Sequence, residues 1–331
     1  MKVHFLGTAG GRPSNHRNVT SIAVILNERE FILIDCGEAT QHQLMKSTLK
    51  LSKLNTILIT HMHGDHIFGL PGLLCTLGTE RTEPLIIYGP PGIKEFVKVS
   101  LKFARLKYGI EIHELDNIPN HVTNIVSGRH KFVLHSCPIE HTTKCFAYKI
   151  TKYRNEMKID FNKIYPDIQH YRNELERLGF SPAEQIIKNL KSNITITMDD
   201  GFILDGKNYE IRETPVSLVV ALDNYNSEKM IESFGSCNVL IHECTYATFT
   251  HMDTKEINSV TKLAISHGHA TNTMATRVAE KLSAEKLILT HFSNRYNFED
   301  EEKIIEGCQK SPEKMEIICA RDFMEICICS K

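Results

Sequence analysis

Residues 60–74 read Thr-His-Met-His-Gly-Asp-His-Ile-Phe-Gly-Leu-Pro-Gly-Leu-Leu, so His61, His63, Asp65 and His66 fall within six positions. Imidazole nitrogens and carboxylate oxygens are the usual zinc ligands outside thiolate sites, and a loop this dense serves two ions if the chain folds over both. Paired metals suit phosphodiester hydrolysis: together they acidify a shared water toward neutrality and offset the charge building on phosphorus. Manganese and iron accept overlapping ligand sets, so the residues leave the metal open.

Two ions of four to six ligands each need more donors than one loop provides. Three later positions fit. His141 lies between two strand-like segments, with His130 and His135 as its competitors; Asp223 ends the apolar run Val216–Leu222; His291 follows Leu287–Thr290. A leaving oxygen also needs a proton, which a histidine held by a carboxylate can give. The phrases Ile241-His-Glu-Cys-Thr245 and His267-Gly-His-Ala-Thr271 supply such a pair, with either His267 or His269 as the imidazole. A zincin helix is excluded, because Tyr246 stands where that motif requires histidine.

The elements that must position these residues are legible as β-rich runs between turn residues. Val3–Gly7, Ser21–Leu26, Phe31–Asp35, Asn55–Thr60 and Pro84–Tyr88 predict strands, so the ligand loop falls at a strand-to-helix junction. Lys131–Leu134, Cys145–Tyr148, Val216–Leu222, Asn238–Ile241, Lys286–Thr290 and Glu316–Ala320 predict further strands, with a helix over Thr271–Leu282. Between them, 152–192 turns polar and carries one helical stripe, Ile168, Tyr171, Leu175 and Leu178, with Pro166 before it and Gly179 after it. We read 1–331 as one unit with an inserted helical arm at 152–192. Strand sets interleaved with helices in each half suit an α/β fold, either an αββα sandwich or a doubly wound sheet.

The run His-x-His-x-Asp-His resembles the metallo-β-lactamase superfamily, and its extension Gly-Leu-Pro-Gly-Leu-Leu resembles the ribonuclease Z family, short form. That resemblance implies the αββα sandwich with metals at one end. It implies that His61, His63 and His141 hold one zinc, that Asp65, His66 and His291 hold the other, and that Asp223 bridges them. It also implies that Glu243 and His269 move the proton, with Asp65 beside them as a catalytic carboxylate. Around Asp223 the family usually has Ser-Gly-Asp-Thr, whereas this chain has Ala221-Leu-Asp-Asn.

For substrate contacts, Pro13, Arg17 and Asn18 match a Pro-x-Lys-x-Arg-Asn loop of the family, with Asn15 in the lysine position. Thr271 and Arg295 lie in the two phrases around His269 and His291. In the arm, Ala183-Glu184 stands where a Gly-Pro tip is expected, while Lys188 and Lys191 remain. Residues 152–191 hold eight Lys/Arg against six Asp/Glu, so the arm is faintly basic and is either an RNA contact or a solvated helix. The family's activity is removal of the 3′ trailer from precursor tRNA, by two zinc ions per subunit in a homodimer whose arms serve each other's sites. A small-molecule hydrolase of the same fold, such as a phosphodiesterase, thioesterase or lactonase, is the enzymatic alternative, and an RNA-binding relic the non-enzymatic one.

Composition is compatible with this and does not select it. The 331 residues are 41% hydrophobic and 24% charged, enough apolar content for a substantial core. A net charge of −1 means that nucleic-acid binding must come from uneven charge placement. The ten cysteines include no Cys-x-x-Cys pair and read as reduced core residues. Neither a signal peptide nor a membrane-spanning run is written in the sequence, so we expect an intracellular, soluble protein, cytoplasmic first of all.

Overall fold

The computed structural model describes residues 1–78, 81–115, 121–127, 130–154, 157–211, 214–308 and 315–329. The first half of the chain lays down β1 (Lys2–Gly7), β2 (Ser21–Ile25), β3 (Phe31–Ile34), β4 (Leu54–Leu58), β5 (Leu85–Gly89) and β6 (Ile110–Glu114). Then come β7 (His121–Ser127), β8 (His130–Ile139) and β9 (Cys145–Arg154), a short hairpin of β10 (Ile196–Thr197) and β11 (Ile203–Leu204), and β12 (Val216–Ala221), β13 (Val239–Glu243), β14 (Lys286–Thr290), β15 (Glu316–Cys319) and β16 (Glu325–Cys327). One seven-stranded sheet has the order β16-β1-β2-β3-β4-β5-β6, the other β15-β14-β13-β12-β9-β8-β7.

Each sheet follows the same plan. Its early strands pair antiparallel and its later ones parallel, from β3 to β6 in the first sheet and from β12 to β15 in the second. Parallel neighbours require crossovers, and helices make them. In the first sheet these are α1 (Thr40–Lys46), α2 (Gly64–Ile67), α3 (Leu70–Leu77) and α4 (Ile93–Ser100). The arm supplies α5 (Phe161–His170), α6 (Arg172–Arg177) and α7 (Ala183–Lys191); α8 (Glu228–Phe234), α9 (Thr254–Ser266), α10 (Asn272–Lys281) and α11 (Glu301–Gly307) belong to the second sheet.

Alternation along the strands explains the layering. Phe5, Ile34 and Leu58 of one sheet and Phe146, Val220 and Ile241 of the other form a single core between the sheets. The opposite faces pack on helices: Leu70, Leu73, Leu74 and Leu77 of α3, spaced i, i+3, i+4, i+7, cover the first sheet. Ala275 and Ala279 of α10, with Ile304 of α11, cover the second. Each fully buried aliphatic side chain of this kind contributes about 1.5–3 kcal/mol relative to an exposed one. The result is an αββα sandwich rather than a doubly wound sheet.

The inserted arm differs from its sequence reading in extent. It runs on past 192, through the β10–β11 hairpin, to residue 211, where Ile211 N–H donates to the Lys158 carbonyl (2.7 Å) and Asp160 N–H to that of Tyr209 (2.7 Å). Ile164, Ile168, Leu175, Ile186, Leu190 and Leu204 make a separate small core. Pro166, ahead of the stripe, lies inside α5 rather than at its start, and the helix stops four residues later. Consequently only Ile168 and Leu175 of the expected stripe are buried, Tyr171 is half-buried and Leu178 is exposed. All ten cysteines are free, seven of them buried. No helix among the described residues is long and apolar enough to cross a membrane.

Candidate metal centre

The carboxyl ends of the parallel strands converge at one rim of the sandwich, the place where open α/β sheets put their sites. The loop after β4 brings His61, His63, Asp65 and His66; the ends of β12, β13 and β14 bring Asp223, Glu243 and His291; His141 follows β8. Ligand atoms of His61, His63, His141 and Asp223 lie within 4.8 Å of one another, as do those of Asp65, His66 and His291 and those of Asp223, His269 and His291. Asp223 therefore stands between two groups, its Oδ2 3.6 Å from His61 Nε2 and its Oδ1 3.0 Å from His291 Nε2.

Hydrogen bonds on the outer side of each imidazole fix which nitrogen faces inward. Asp35, buried at the end of β3, accepts from His66 Nδ1 (2.6 Å) and from the Thr60 hydroxyl (2.7 Å), and that hydroxyl accepts from His61 Nδ1 (3.1 Å). His141 Nδ1 donates to the Gly268 carbonyl at 2.6 Å. Gly268 has φ +81° and its missing side chain would lie 2.7 Å from the His141 ring, so glycine is required there. His291 Nδ1 donates to the Thr245 hydroxyl (2.9 Å), which donates its own proton to Glu243 Oε2 (2.6 Å). Asp35 and His291 both adopt left-handed backbone angles, φ 57° and 58°, a strain of the kind that collects at functional sites.

With the outer nitrogens committed as donors, His61, His66, His141 and His291 each turn an Nε2 lone pair inward. His61 Nε2 and His141 Nε2 come within 3.0 and 3.2 Å of His63 Nδ1, and His66 Nε2 lies 3.2 Å from His291 Nε2. Asp223 Oδ1, fully buried, accepts no hydrogen bond. Opposed lone pairs and an unpartnered carboxylate oxygen are costly without a cation among them, so the donor set fits metal ions. The local potential agrees. Burial works against a charged His66, yet Asp223, Asp35 and Asp65 hold its pKa well above the ordinary imidazole value. Asp65 and Asp223 are pulled below the usual carboxylate range by those histidines, against the effect of burial.

Beside the cluster, Glu243 is fully buried and accepts from Asn224 N–H (2.6 Å) and from Thr245. His269 Nδ1 lies 3.3 Å from it; although burial lowers the pKa of this imidazole, Glu243 raises it to about 9 overall. The competing histidines lie elsewhere: His267 donates to Leu263 O at the end of α9, and His135 sits in the middle of β8. The side chain of His130 lies outside the described residues.

The expected substrate contacts divide. Pro13, Arg295, Lys188 and Lys191 are exposed, and Arg295 stacks 4.7 Å above the Tyr246 ring. Arg17 is not free: it is 5% exposed, with Nη2 on Glu301 (2.6 Å) and Nη1 on the Thr8 hydroxyl and Ala320 carbonyl. Asn18 gives its side-chain amide to the Glu38 carbonyl. Thr271 is fully buried and caps α10, accepting from Met274 N–H, so it too is corrected from substrate contact to helix cap. Asp35, Thr245, Asn224 and Glu301 went unassigned from sequence; Asp35 and Thr245 lie inside legible phrases, but only their hydrogen bonds reveal what they do.

A family model described as the Anti-Pycsar protein Apyc1 matches residues 1–159. The ribonuclease Z of Listeria monocytogenes serovar 1/2a is 37% identical over 304 residues, 90% of either chain. Among solved structures, human tRNase Z, short form, aligns over 100% of both chains with a TM-score of 0.64 and 25% identity. The metallo-β-lactamase fold protein YhfI of Bacillus subtilis aligns over 98% of both, with a TM-score of 0.61 and 17% identity.

Proposed function

Because the chain belongs to the ribonuclease Z family, a conclusion that the Listeria relative carries over nine-tenths of its length, we propose that it is an endoribonuclease that removes the 3′ trailer from precursor tRNA. The observation supporting that chemistry is the pair of ligand groups drawn from both sheets, with Asp223 a member of the first and its Oδ1 3.0 Å from His291 of the second. In this reading His61, His63 and His141 hold one zinc ion, Asp65, His66 and His291 a second, and Asp223 touches both. When bound, such a pair supplies an acidified water and charge compensation at phosphorus.

The chain's own groups do the rest. Asp65, 11% exposed, has Oδ2 held by Gly11 N–H at 2.7 Å, leaving its other oxygen to orient the attacking water in line. His269, oriented by Glu243, gives a proton to the departing 3′ oxygen, so the tRNA body keeps a 3′-hydroxyl. Thr245 prevents Glu243 from swinging toward the ligands by occupying its second oxygen. The exposed Lys188 and Lys191 of α7, together with Pro13 and Arg295 near the rim, then meet the RNA through its backbone and shape.

We further read the protein as a cytoplasmic homodimer in which one subunit's arm serves the other's cleft; Phe68, 65% exposed beside the ligand loop, gives such a contact an apolar anchor. Incubating the purified protein with a precursor tRNA and, separately, with a small phosphodiester tests the reading, alongside elemental analysis for metals. Release of an intact trailer and a 3′-hydroxyl body is expected, with about two zinc equivalents per chain. Hydrolysis of the small ester alone would remove the tRNA assignment.

A further inference from the structure

The loop joining β1 to β2 touches the centre at one end and is clamped at the other. Gly10 lies flat against His291, where a side-chain carbon would fall 2.6 Å from the ring, and Gly11 N–H donates to Asp65 Oδ2 at 2.7 Å. At its far end the Arg17 guanidinium is enclosed: both terminal nitrogens are bonded, and its faces lie 4.6 Å from the Phe292 ring centre and 4.7 Å from that of Phe298. Glu301 takes Arg17 on one carboxylate oxygen and Arg321 on the other, at 2.7 and 2.9 Å. Phe292 directly follows His291. Arg17 thus ties the loop to the residue beside one candidate ligand and, through Gly10 and Gly11, to two.

We propose that Arg17, paired with Glu301, is a positioning residue that sets Asp65 and His291, and that Arg12 on the exposed crown makes the loop's phosphate contact. The inference deepens the ribonuclease reading and rests on it for the phosphate. Arg12 is exposed, and its carbonyl is held by Asn294 Nδ2 at 3.0 Å, so the crown presents a cation from a fixed backbone. A buried ion pair of this kind, with Arg17 Nη2 on Glu301 and Nη1 on Thr8 and Ala320, cannot reach RNA without breaking, whereas it is suited to transmit a fixed geometry.

The test compares Arg17→Lys, Glu301→Gln, their double variant, Phe298→Leu and Arg12→Ala on a precursor tRNA. The readouts are kcat, KM, the salt dependence of RNA binding, and metal kept after dialysis against a chelator. Arg17→Lys and Glu301→Gln should each lower kcat by ~10-fold or more at nearly constant KM and lose one metal equivalent that the parent keeps. The double should be no worse than the poorer single, as for one coupled unit. Arg12→Ala should raise KM and reduce the salt slope by ~1 while keeping its metal. The proposal fails if Arg17→Lys raises KM and lowers the salt slope with metal retained, while Glu301→Gln behaves as the parent. Phe298→Leu strands no charge; should the charged variants not fold, it carries the comparison, and retention of both metals at parental kcat would also overturn the proposal. Should the parent not cut precursor tRNA, the ribonuclease reading fails on its own, and metal retention still decides the role of Arg17.

Discussion

Thr245 has one hydroxyl proton, and the structure commits it to Glu243 while the oxygen accepts from His291. One side chain therefore fixes both the inward lone pair of the candidate ligand His291 and the carboxylate behind His269, the proposed proton donor. Thr245→Val should lower kcat by ~10–100-fold and weaken metal retention, and Thr245→Ser should restore both; a valine variant with parental kcat and metal content would show the hydroxyl to be idle. Asp35 plays the same part for His66 and, through Thr60, for His61. Asp35→Asn should weaken metal binding by ~10–100-fold in a chelator competition, with the sandwich still folded by circular dichroism. At this scale the sequence is informative where a ligand-type residue ends an apolar run, as Asp223 and His291 do, or falls between two strand-like segments, as His141 does. Thr245 and Asp35 are ordinary polar residues along the chain, made special by neighbours up to 46 positions away. Arg17 looks like a free cation in a turn until Phe292, Phe298 and Glu301 close over it from the other half of the molecule.

Elements were readable in proportion to how much of them is buried on one face. Most strands of the inter-sheet core carry apolar runs whose expected and observed ends differ by only a residue or two, as at Val216–Ala221, whereas β8 and β9 run five and six residues past their expected ends at Leu134 and Tyr148. Helix α9 escaped notice although it is 13 residues long, because Ala264 is its one buried residue and no stripe forms. Its start was still written, in the Asp253–Glu256 capping box. The arm was underestimated for a related reason: its short hairpin and final turn contribute single residues to a small core that only the folded arrangement assembles. That core is separate from the sandwich, so Ile164→Ala, costing about 2–5 kcal/mol locally, should loosen the arm alone. Hydrogen exchange would register this as lost protection in α5 to α7 with β12 to β14 unchanged, and uniform loss across both would refute the independence of the arm.

Across the whole molecule, two of the three ligand groups take residues from both sheets: His61 and His63 with His141 and Asp223, and Asp65 and His66 with His291. A bound ion is then a cross-link between the halves, stabilising the fold by ~2.7 kcal/mol at a hundredfold excess over its dissociation constant. Chelation should lower the melting temperature by several degrees, and added zinc should restore it; a melting curve indifferent to metal would argue against ions spanning the sheets. RNA affinity should fall steeply with salt despite the near-neutral total charge, because the proposed contacts are local cations.

The pairing of β1 with β16 adds a consequence for the order in which the chain is made. The ligand loop leaves the ribosome early, yet its partners at 223 and 291, the Arg321–Glu301 clamp and the strand that closes the first sheet follow 150 to 260 residues later. A nascent chain halted midway carries the dense histidine loop without the residues that would turn it into a nuclease. Until the residues around 223, 291 and 321 have been made, that loop has no partners with which to complete a centre.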